Sequence, residues 1–485
     1  MRIAVVGAGV AGLVSAKVLS RAGHEVVVFD RTPDVGGVWS ETRRYPGVTT
    51  QSPRDTYALS DFPMPKDLPE WPTGEQVQEY LAAYVRHFEL GPLLRLNTSV
   101  ASAEPDDAGW TLNGSDRFDH LIVANGVFSS PSLPSYEGAA DFVAAGGRLC
   151  SASDFHDASS VEGQHVLVVG YGKSSCDVAM EISRTAASTD VIARQMLWKV
   201  PRKIGGVVNF KYLLLTRLGE ALFAWQHLEG AEKFLHGRGA PIRRRMLGSV
   251  QNVTVKQYRL RELGLLPAGG IENIVRGAIG LVTDGFYEQV EAGRITVRRD
   301  RVIKRLLEKD GAPHAELSDG TVLRADTVVC ATGYRQEIPF LPESVRARLV
   351  DSRGNYRLYR QIHPVDVPRL SFSGYNSSFF SPLSAEVGAL WTAALLAGAL
   401  DLPSDESMRA QVDARIGFMD SATSGHHCHG TKVIPFSMHN IDEILGDVGL
   451  DVPRRVRFQQ WLGPVDPRSY RRVTRRFEER FGSSR

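Results

Sequence analysis

A short apolar strand that runs straight into a glycine-rich turn and a helix occurs twice in this sequence. The first copy is Arg2 to Val6 followed by Gly7 to Gly12, and the second is His165 to Val169 followed by Gly170 to Ser175. In such a unit the first glycine permits a tight turn, the second lets backbone approach a pyrophosphate, and the helix N-terminus faces the phosphates. The repeat predicts an α/β chain with two Rossmann-like dinucleotide-binding domains.

The residue that follows the next strand differs between the two copies. Asp30 follows Glu25 to Phe29, where a carboxylate can accept hydrogen bonds from ribose hydroxyls. Arg194 follows Asp190 to Ala193, where a guanidinium suits the 2′-phosphate of NADPH, although a solvated surface arginine is the alternative. We therefore expect FAD in the first unit and NADPH in the second.

Composition favours a small-molecule oxidoreductase. With 57 Lys+Arg against 55 Asp+Glu, the formal net charge of +2 produces no field that would attract nucleic acid. The four cysteines, Cys150, Cys176, Cys330 and Cys428, form no Cys-x-x-Cys pair, so neither a disulfide framework nor a dithiol redox centre is predicted. Two nucleotide units without a dithiol suggest hydride transfer from a nicotinamide to a flavin.

The spacing of the two units predicts that one domain is inserted in the other. We expect the FAD-binding domain to comprise residues 1–160 and 325–420. The NADPH-binding domain would cover residues 161–324, with a helical insertion at about 205–265. Residues 421–485 would form a C-terminal segment. At 485 residues and 43% hydrophobic content, the chain is long enough to fill these cores.

Several short segments outside the glycine turns resemble those of the flavin-containing monooxygenases, and together they span most of the chain. They are Gly36 to Trp39, Tyr57 to Pro65, Ala331 to Tyr334, Leu358 to Pro364 and Ser371 to Gly374. The resemblance implies a class B flavoprotein monooxygenase that uses FAD, NADPH and O2. It also implies that a flavin C4a-(hydro)peroxide passes one oxygen atom to a small substrate.

The resemblance also identifies candidate catalytic and cofactor-binding residues. Gln51 stands where the family commonly has an asparagine beside the flavin, and Tyr334 lies in the family's linker motif. These two are the predicted catalytic residues, although Gln51 could instead be a turn residue that bonds only to backbone. The residues predicted to bind the two cofactors are Gly7, Gly9, Ala11, Gly12, Asp30, Arg31, Gly37, Val38, Trp39, Val100, Ala124, Asn125, Gly126, Gly170, Gly172, Lys173, Ser174, Ser175, Arg194, Thr332, Gly333 and Ser384.

Some of these residues have a plainer interpretation. Trp39 would pack on the flavin edge or serve as an ordinary core tryptophan. Ser384 lies at the start of an apolar helix whose N-terminus could face the flavin, and a simple N-cap explains the same residue. Lys173 replaces the usual asparagine of the second glycine turn and could reach a phosphate or simply be solvated.

One departure from the family bears on the reaction. The family fingerprint has a histidine four residues after a glycine, whereas here Gly147 is followed by Ser151 and Phe155. N- or S-oxygenation is therefore the expected reaction, with Baeyer–Villiger oxygenation of a ketone as an alternative. An NADPH oxidase or reductase without oxygen transfer is the other alternative, and a non-enzymatic redox sensor is a third class.

The remaining segments give expectations about partners and location. An amphipathic stretch from Lys211 to Trp225 predicts a lid or a homodimer contact in preference to a membrane contact, since its apolar runs are too short to span a bilayer. His426 to His429 contains metal-ligand residue types, but four adjacent residues do not converge readily on one ion, so no metal is predicted. We expect a cytoplasmic protein without a membrane anchor.

Overall fold

Two five-stranded parallel sheets form the frame of the molecule in this computed structural model, which describes residues 1–276, 280–424 and 437–481. The strands of the first sheet, in spatial order, are Leu370–Phe372, His120–Val123, Arg2–Val6, Glu25–Phe29 and Leu94–Arg95. Those of the second are Ile295–Arg299, Ser188–Ala193, His165–Val169, Thr327–Cys330 and Arg148–Ser151. Both sheets place the strand that precedes a glycine turn in the centre.

The first sheet is covered on both faces, which is why its strands are continuously apolar. The helix Val10–Arg21 lies on one face and packs against the helix Ser381–Leu396, which is buried along most of its length. A second core forms on the other face around Trp110 and Phe118. This arrangement leaves the carboxyl ends of the strands open, where ligands bind in open α/β sheets.

The second sheet takes strands from outside the range predicted for the NADPH-binding domain. Arg148–Ser151 and Thr327–Cys330 both pair in this sheet, so the chain enters it at residue 148 and leaves it at residue 330, instead of at 161 and 324. The sequence of an apolar strand that closes on glycine does not say which of two similar sheets it joins, because pairing is decided by tertiary contacts.

Helices occupy the insertion predicted at about 205–265, and further helical segments follow it before Ile295. They are Lys211–Leu214, Arg217–Ala221, Gly230–His236, Ala240–Gln257 and Phe286–Glu291, with a 3-10 helix at Ile271–Arg276. The helices elsewhere are Val10–Arg21, Gly74–His87, Ala139–Ala144, Lys173–Ile182, Glu343–Leu349, Ser381–Leu396, Asp405–Ala422, Ser437–Val448, Arg454–Leu462 and Arg471–Phe481.

Small sheets complete the architecture. Two have three antiparallel strands, namely Ala103–Asp106, Gly109–Leu112 and Asp116–Phe118, and Ile303–Lys309, Ala312–Leu317 and Val322–Arg324. Three are two-stranded pairs, namely Lys199–Val200 with Gly280–Leu281, Lys203–Ile204 with Val208–Asn209, and Ser130–Pro131 with Tyr334–Arg335. Within the described residues, no helix is both long and apolar enough to cross a membrane.

The described cysteines lie in the interior of the protein. Cys150, Cys176 and Cys330 are free and buried. The segment His426 to His429, with Cys428, lies outside the described residues. Across residues 1–276, 280–424 and 437–481, no group of three or more His, Cys, Asp or Glu side chains is arranged to hold a metal ion.

Candidate active site

A cavity of about 340 Å³ opens at the carboxyl end of the first sheet, and we call it the flavin cavity. Most of the residues predicted to bind FAD line it. They are Gly9, Ala11, Asp30, Gly37, Val38, Trp39, Ala124, Asn125 and Gly126. Arg31 is exposed beside the cavity, and Val100 packs against the core of the opposite sheet face, so neither lies in its wall.

The glycines of the first turn let neighbouring backbone segments pack closely, and no side chain projects from them toward a ligand. A side chain on Gly12 would place its Cβ 1.8 Å from the carbonyl oxygen of Gly7, and one on Gly7 would lie 2.3 Å from the carbonyl oxygen of Ala124. A Cβ on Gly9 would lie 3.5 Å from the Cα of Gly37, which lies across the cavity wall. Because no Cβ is present at these positions, Gly9 and Gly37 present bare backbone to the cavity, which is the geometry that a pyrophosphate needs.

Asp30 holds the glycine turn and also faces the cavity. Its Oδ2 accepts a hydrogen bond from the Ala8 N–H at 2.6 Å, and its Oδ1 accepts from the Thr32 N–H at 2.9 Å. A carboxylate has about four lone-pair sites, so oxygen atoms already bonded to backbone can still accept a ribose hydroxyl. The position of Asp30 therefore fits the role predicted for it.

Aromatic residues and one helix N-terminus line the other end of the flavin cavity. Trp39 donates its indole N–H to the Tyr57 hydroxyl at 3.0 Å, and burial raises the pKa of Tyr57 to about 12. The helix predicted to open at Ser384 begins earlier, at Ser381, which lines the cavity. Ser384 is therefore not the N-cap and lies inside the first turn, where its hydroxyl pairs with Ser378 at 2.9 Å.

A second cavity of about 630 Å³ lies along the carboxyl end of the second sheet, and we call it the nucleotide groove. The predicted residues that line it are Gly170, Gly172, Lys173, Ser174, Arg194, Thr332 and Gly333. Ser175 does not face the groove, because its hydroxyl donates to the Gly172 carbonyl oxygen at 3.0 Å. Arg194 is exposed in the groove wall, where its guanidinium can meet a phosphate.

Lys173 lines the nucleotide groove, and its ammonium group is engaged within the protein. The Nζ atom is in short contact with the Asp177 carboxylate and lies 3.4 Å from the Thr283 hydroxyl. Thr283 donates to the same carboxylate at 2.6 Å, and all three side chains are buried. Lys173 thus holds the start of its helix in place through this ion pair, and its contact with a phosphate stays a prediction.

Gln51 and Tyr334, the predicted catalytic residues, line both cavities. The Gln51 Oε1 accepts the backbone N–H of Leu281 at 3.1 Å, which leaves the side-chain NH2 group as a donor. The Tyr334 ring packs edge-on against Phe128 with 5.5 Å between centroids, and burial raises the pKa of its hydroxyl. The flavin cavity and the nucleotide groove therefore adjoin at these two side chains.

The flavin cavity also contains residues that the sequence did not identify. Arg43 donates to the Phe128 carbonyl oxygen at 2.6 Å, and burial lowers the pKa of its guanidinium. Tyr45 donates to the Asp177 carboxylate at 3.3 Å, which connects the two nucleotide units. Both follow the Gly36 to Trp39 motif closely, so their place in the chain was a usable signal. Phe379 also follows a family segment closely, Ser371 to Gly374, but nothing in the sequence indicates that its side chain faces the cavity.

Comparison with known proteins identifies the family of this chain. Residues 1–453 match the flavin-binding monooxygenase-like family. Dimethylaniline monooxygenase (N-oxide-forming) 2 of Oryctolagus cuniculus is 27% identical over 448 residues, which cover 85% of this chain and 76% of the relative.

Two solved structures share the fold across almost the whole chain. The S-allyl-L-cysteine S-oxygenase of Allium sativum has a TM-score of 0.61 and 19% identity, and the match covers 99% of this chain and 94% of that one. The cyclohexanone monooxygenase of Rhodococcus sp. Phi1 bound to NADP+ has a TM-score of 0.67 and 18% identity, with coverage of 92% and 97%.

The fold and the two adjoining cavities define a flavoprotein oxidoreductase with two dinucleotide-binding units. Within that class, the chain belongs to the flavin-containing monooxygenase family. FAD and NADPH, the two cofactors of this family, are therefore its cofactors, and the predicted family, α/β fold class and type of enzyme are confirmed.

Proposed function

We propose that this enzyme uses NADPH and O2 to oxygenate a small substrate at nitrogen or sulfur. The observation that carries the proposal is that Gln51 and Tyr334 line both the flavin cavity and the nucleotide groove. FAD, when bound, accepts hydride from the nicotinamide and then activates O2. A dinucleotide in the groove can therefore meet a flavin in the cavity at these two side chains.

The residues at this junction supply a hydrogen-bond donor beside apolar walls. Gln51 is fixed through its oxygen atom by Leu281, so its NH2 group is held for donation to a bound cofactor or substrate oxygen. The pair of Trp39 and Tyr57 and the side chain of Phe379 form apolar walls nearby. Excluding water from such a site protects the bound oxidant from wasteful loss as hydrogen peroxide.

Ser151 departs from the fingerprint of both branches, so the preference for nitrogen or sulfur over a ketone comes from the named activities of similar proteins. This residue stands where the family fingerprint has a histidine, and the Baeyer–Villiger branch needs that histidine too. The Ser151 hydroxyl donates to Asp154 at 2.6 Å and lines the nucleotide groove, so no imidazole occupies this position. The N-oxide-forming and S-oxygenating activities in the names of two similar proteins support the preference.

A three-substrate assay tests the proposal. Purified, FAD-loaded enzyme is given NADPH and O2 with N,N-dimethylaniline, thioanisole or cyclohexanone, and the products are identified by mass spectrometry. We expect the N-oxide or the sulfoxide. Lactone formation with neither of those products would establish the ketone reaction instead. Consumption of NADPH with only hydrogen peroxide as product would establish an oxidase.

A further inference from the structure

A separate apolar chamber lies behind the flavin cavity, and the helical insertion builds most of it. Its volume is about 60 Å³. Leu214 comes from one short inserted helix, Leu247 and Val250 from the helix Ala240–Gln257, and Ile274 from the 3-10 helix Ile271–Arg276. The lining is mostly aliphatic and aromatic, and the chain outside the insertion contributes Val200, Leu281, Phe379 and Phe380 to it.

The chamber shares its wall with the flavin cavity. Phe379 lines both spaces, and the Ser52 hydroxyl holds the Phe379 carbonyl oxygen at 2.7 Å. Leu281 lines the chamber, and its N–H donates to Gln51, which lines the flavin cavity. The two spaces are therefore neighbours across a wall that contains Phe379 and Leu281.

The one ionisable side chain among the described residues of the lining is already engaged. Both oxygens of the Glu220 carboxylate accept the Met438 N–H, at 3.0 and 3.1 Å, and one of them also accepts the His439 N–H at 3.2 Å. Glu220 thus caps the helix Ser437–Val448, and its burial raises the pKa of the carboxyl group. A charged substituent entering the chamber would lose its hydration without gaining a free partner, which is costly.

The size of the chamber limits the substituent that fits. A single water needs about 10–15 Å³ of this kind of volume. The chamber of about 60 Å³ therefore holds a group of roughly four to six non-hydrogen atoms.

We propose that this chamber binds an uncharged alkyl group of the substrate while the oxidisable atom stays in the flavin cavity. The preferred substrate class is thus a thioether, or a neutral amine, with a straight alkyl chain of about four to six carbons. The inference rests on the proposed function for the reaction itself, and it adds the part of the substrate that sets specificity. Val250 and Phe379 are the specificity-determining residues.

A series of alkyl methyl sulfides tests the chamber. We expect kcat/KM for sulfoxide formation to rise about fourfold with each added methylene and then to stop rising near pentyl or hexyl. A sulfide of the same length that ends in an ammonium group should be poorer by at least about tenfold. A flat dependence on chain length, or equal rates with the charged sulfide, would overturn the proposal.

Two substitutions on one helix give a matched comparison. Val250→Phe should move the optimum to shorter chains, whereas Ile242→Phe should leave it unchanged, because Ile242 lies on the same helix but is 53% exposed. Val250→Ala enlarges the chamber and should move the optimum to longer chains, which keeps the test informative if the larger side chain disturbs folding. Identical chain-length profiles for Val250→Ala and the unmodified enzyme would contradict the assignment.

An inert ligand separates this inference from the reaction. n-Pentane has no oxidisable nitrogen or sulfur, and it should raise the thermal unfolding midpoint of the holoenzyme and inhibit sulfide oxidation competitively. The Val250→Phe variant should show neither effect. If pentane stabilises the protein but no sulfide or amine is oxygenated, alkyl binding in the chamber is supported and the proposed reaction is refuted. If sulfides are oxygenated and pentane has no effect, the reaction stands and the chamber fails.

Discussion

The two glycine turns are alike at their first glycine and differ at the third position. A Cβ on Gly7 would lie 2.3 Å from the Ala124 carbonyl oxygen, and one on Gly170 would lie 2.5 Å from the Ala331 carbonyl oxygen. At the third position Gly12 has no space at all, since its Cβ would lie 1.8 Å from a backbone oxygen. Ser175 fits at the equivalent place and uses its hydroxyl to hold Gly172.

The charged residue that follows the second strand also differs between the two units. Asp30 is built into the first turn through the Ala8 N–H, whereas Arg194 is exposed in the groove wall. The first unit thus combines a tightly closed turn with an internal acid. The second combines a looser turn with an exposed cation, which suits a ligand that enters and leaves in each cycle. From this comparison we expect the flavin to be held more tightly than the nicotinamide nucleotide.

Gly12→Ala should have the largest effect, because its Cβ must displace backbone. We expect bound FAD, measured by flavin absorbance per protein, to fall by at least about tenfold. Ser175→Ala is the matched change in the second unit and removes one hydrogen bond worth about 1 kcal/mol. It should leave the flavin content unchanged. Equal flavin content in the two variants would show that the first turn does not depend on glycine at its third position more than the second turn does.

Arg194→Ala should raise the KM for NADPH by roughly 10- to 100-fold, because a hydrogen-bonded charge pair is worth about 1.5–3 kcal/mol. The KM for NADH should change little, since NADH has no 2′-phosphate. Arg301→Ala provides a control in the same groove, because Arg301 is already paired with Asp319 at 2.6 Å. Steady-state kinetics with both nucleotides measure the effect, and equal losses with NADPH and NADH would refute the assignment of Arg194.

Gln51→Leu tests the junction where the two units meet. The ratio of oxygenated product to NADPH consumed should fall about tenfold, with hydrogen peroxide rising in its place, because the amide donor is lost from the shared wall. Gln51→Asn retains an amide and should keep most of the coupling. Unchanged coupling in Gln51→Leu would show that this side chain serves only to hold the Leu281 backbone.

Lys199 provides a smaller test of how the second unit tolerates charge. Its ammonium group is buried 3.3 Å from the centre of the Tyr171 ring, and desolvation lowers its pKa. A base whose pKa is lowered on folding destabilises the protein while charged, and that cost disappears as pH rises toward the unfolded pKa of about 10.4.

Lys199→Met should therefore raise the free energy of unfolding by about 1 kcal/mol at pH 7. The gain should shrink as the pH approaches 10. Urea denaturation at several pH values measures it. A variant that is less stable at pH 7, with a loss independent of pH, would show that the contact with the Tyr171 ring outweighs desolvation.

Much of the fold and part of the site can be predicted from local sequence. The turn from Gly7 to Gly12 can be predicted because its strand, glycines and helix are contiguous in the chain, although the contacts at Gly7 and Gly9 come from Ala124 and Gly37. The pairing of Thr327–Cys330 with the second sheet cannot be predicted from local sequence, because the strand would fit either of the two similar parallel sheets. The orientation of Lys173 depends on Thr283, which lies 110 residues away in the chain.

The functional residues also divide into those that local sequence predicts and those that depend on distant parts of the chain. Gln51 and Tyr334 are adjacent to recognisable motifs, and the structure brings them together between the two cavities. The apolar chamber was not predictable, because its walls come from short helices and from Phe379, which share no sequence pattern. Pockets built from several distant segments need the folded chain to be seen.

The most direct test of the central claim is a reaction under 18O2 with FAD-loaded enzyme, NADPH and an alkyl methyl sulfide. Mass spectrometry of the sulfoxide and a parallel assay of hydrogen peroxide report where the oxygen goes. If the enzyme transfers one oxygen atom from O2 to the sulfide, we expect one 18O atom in each product molecule and little peroxide. Unlabelled product, or O2 converted to hydrogen peroxide without labelled product, would contradict it.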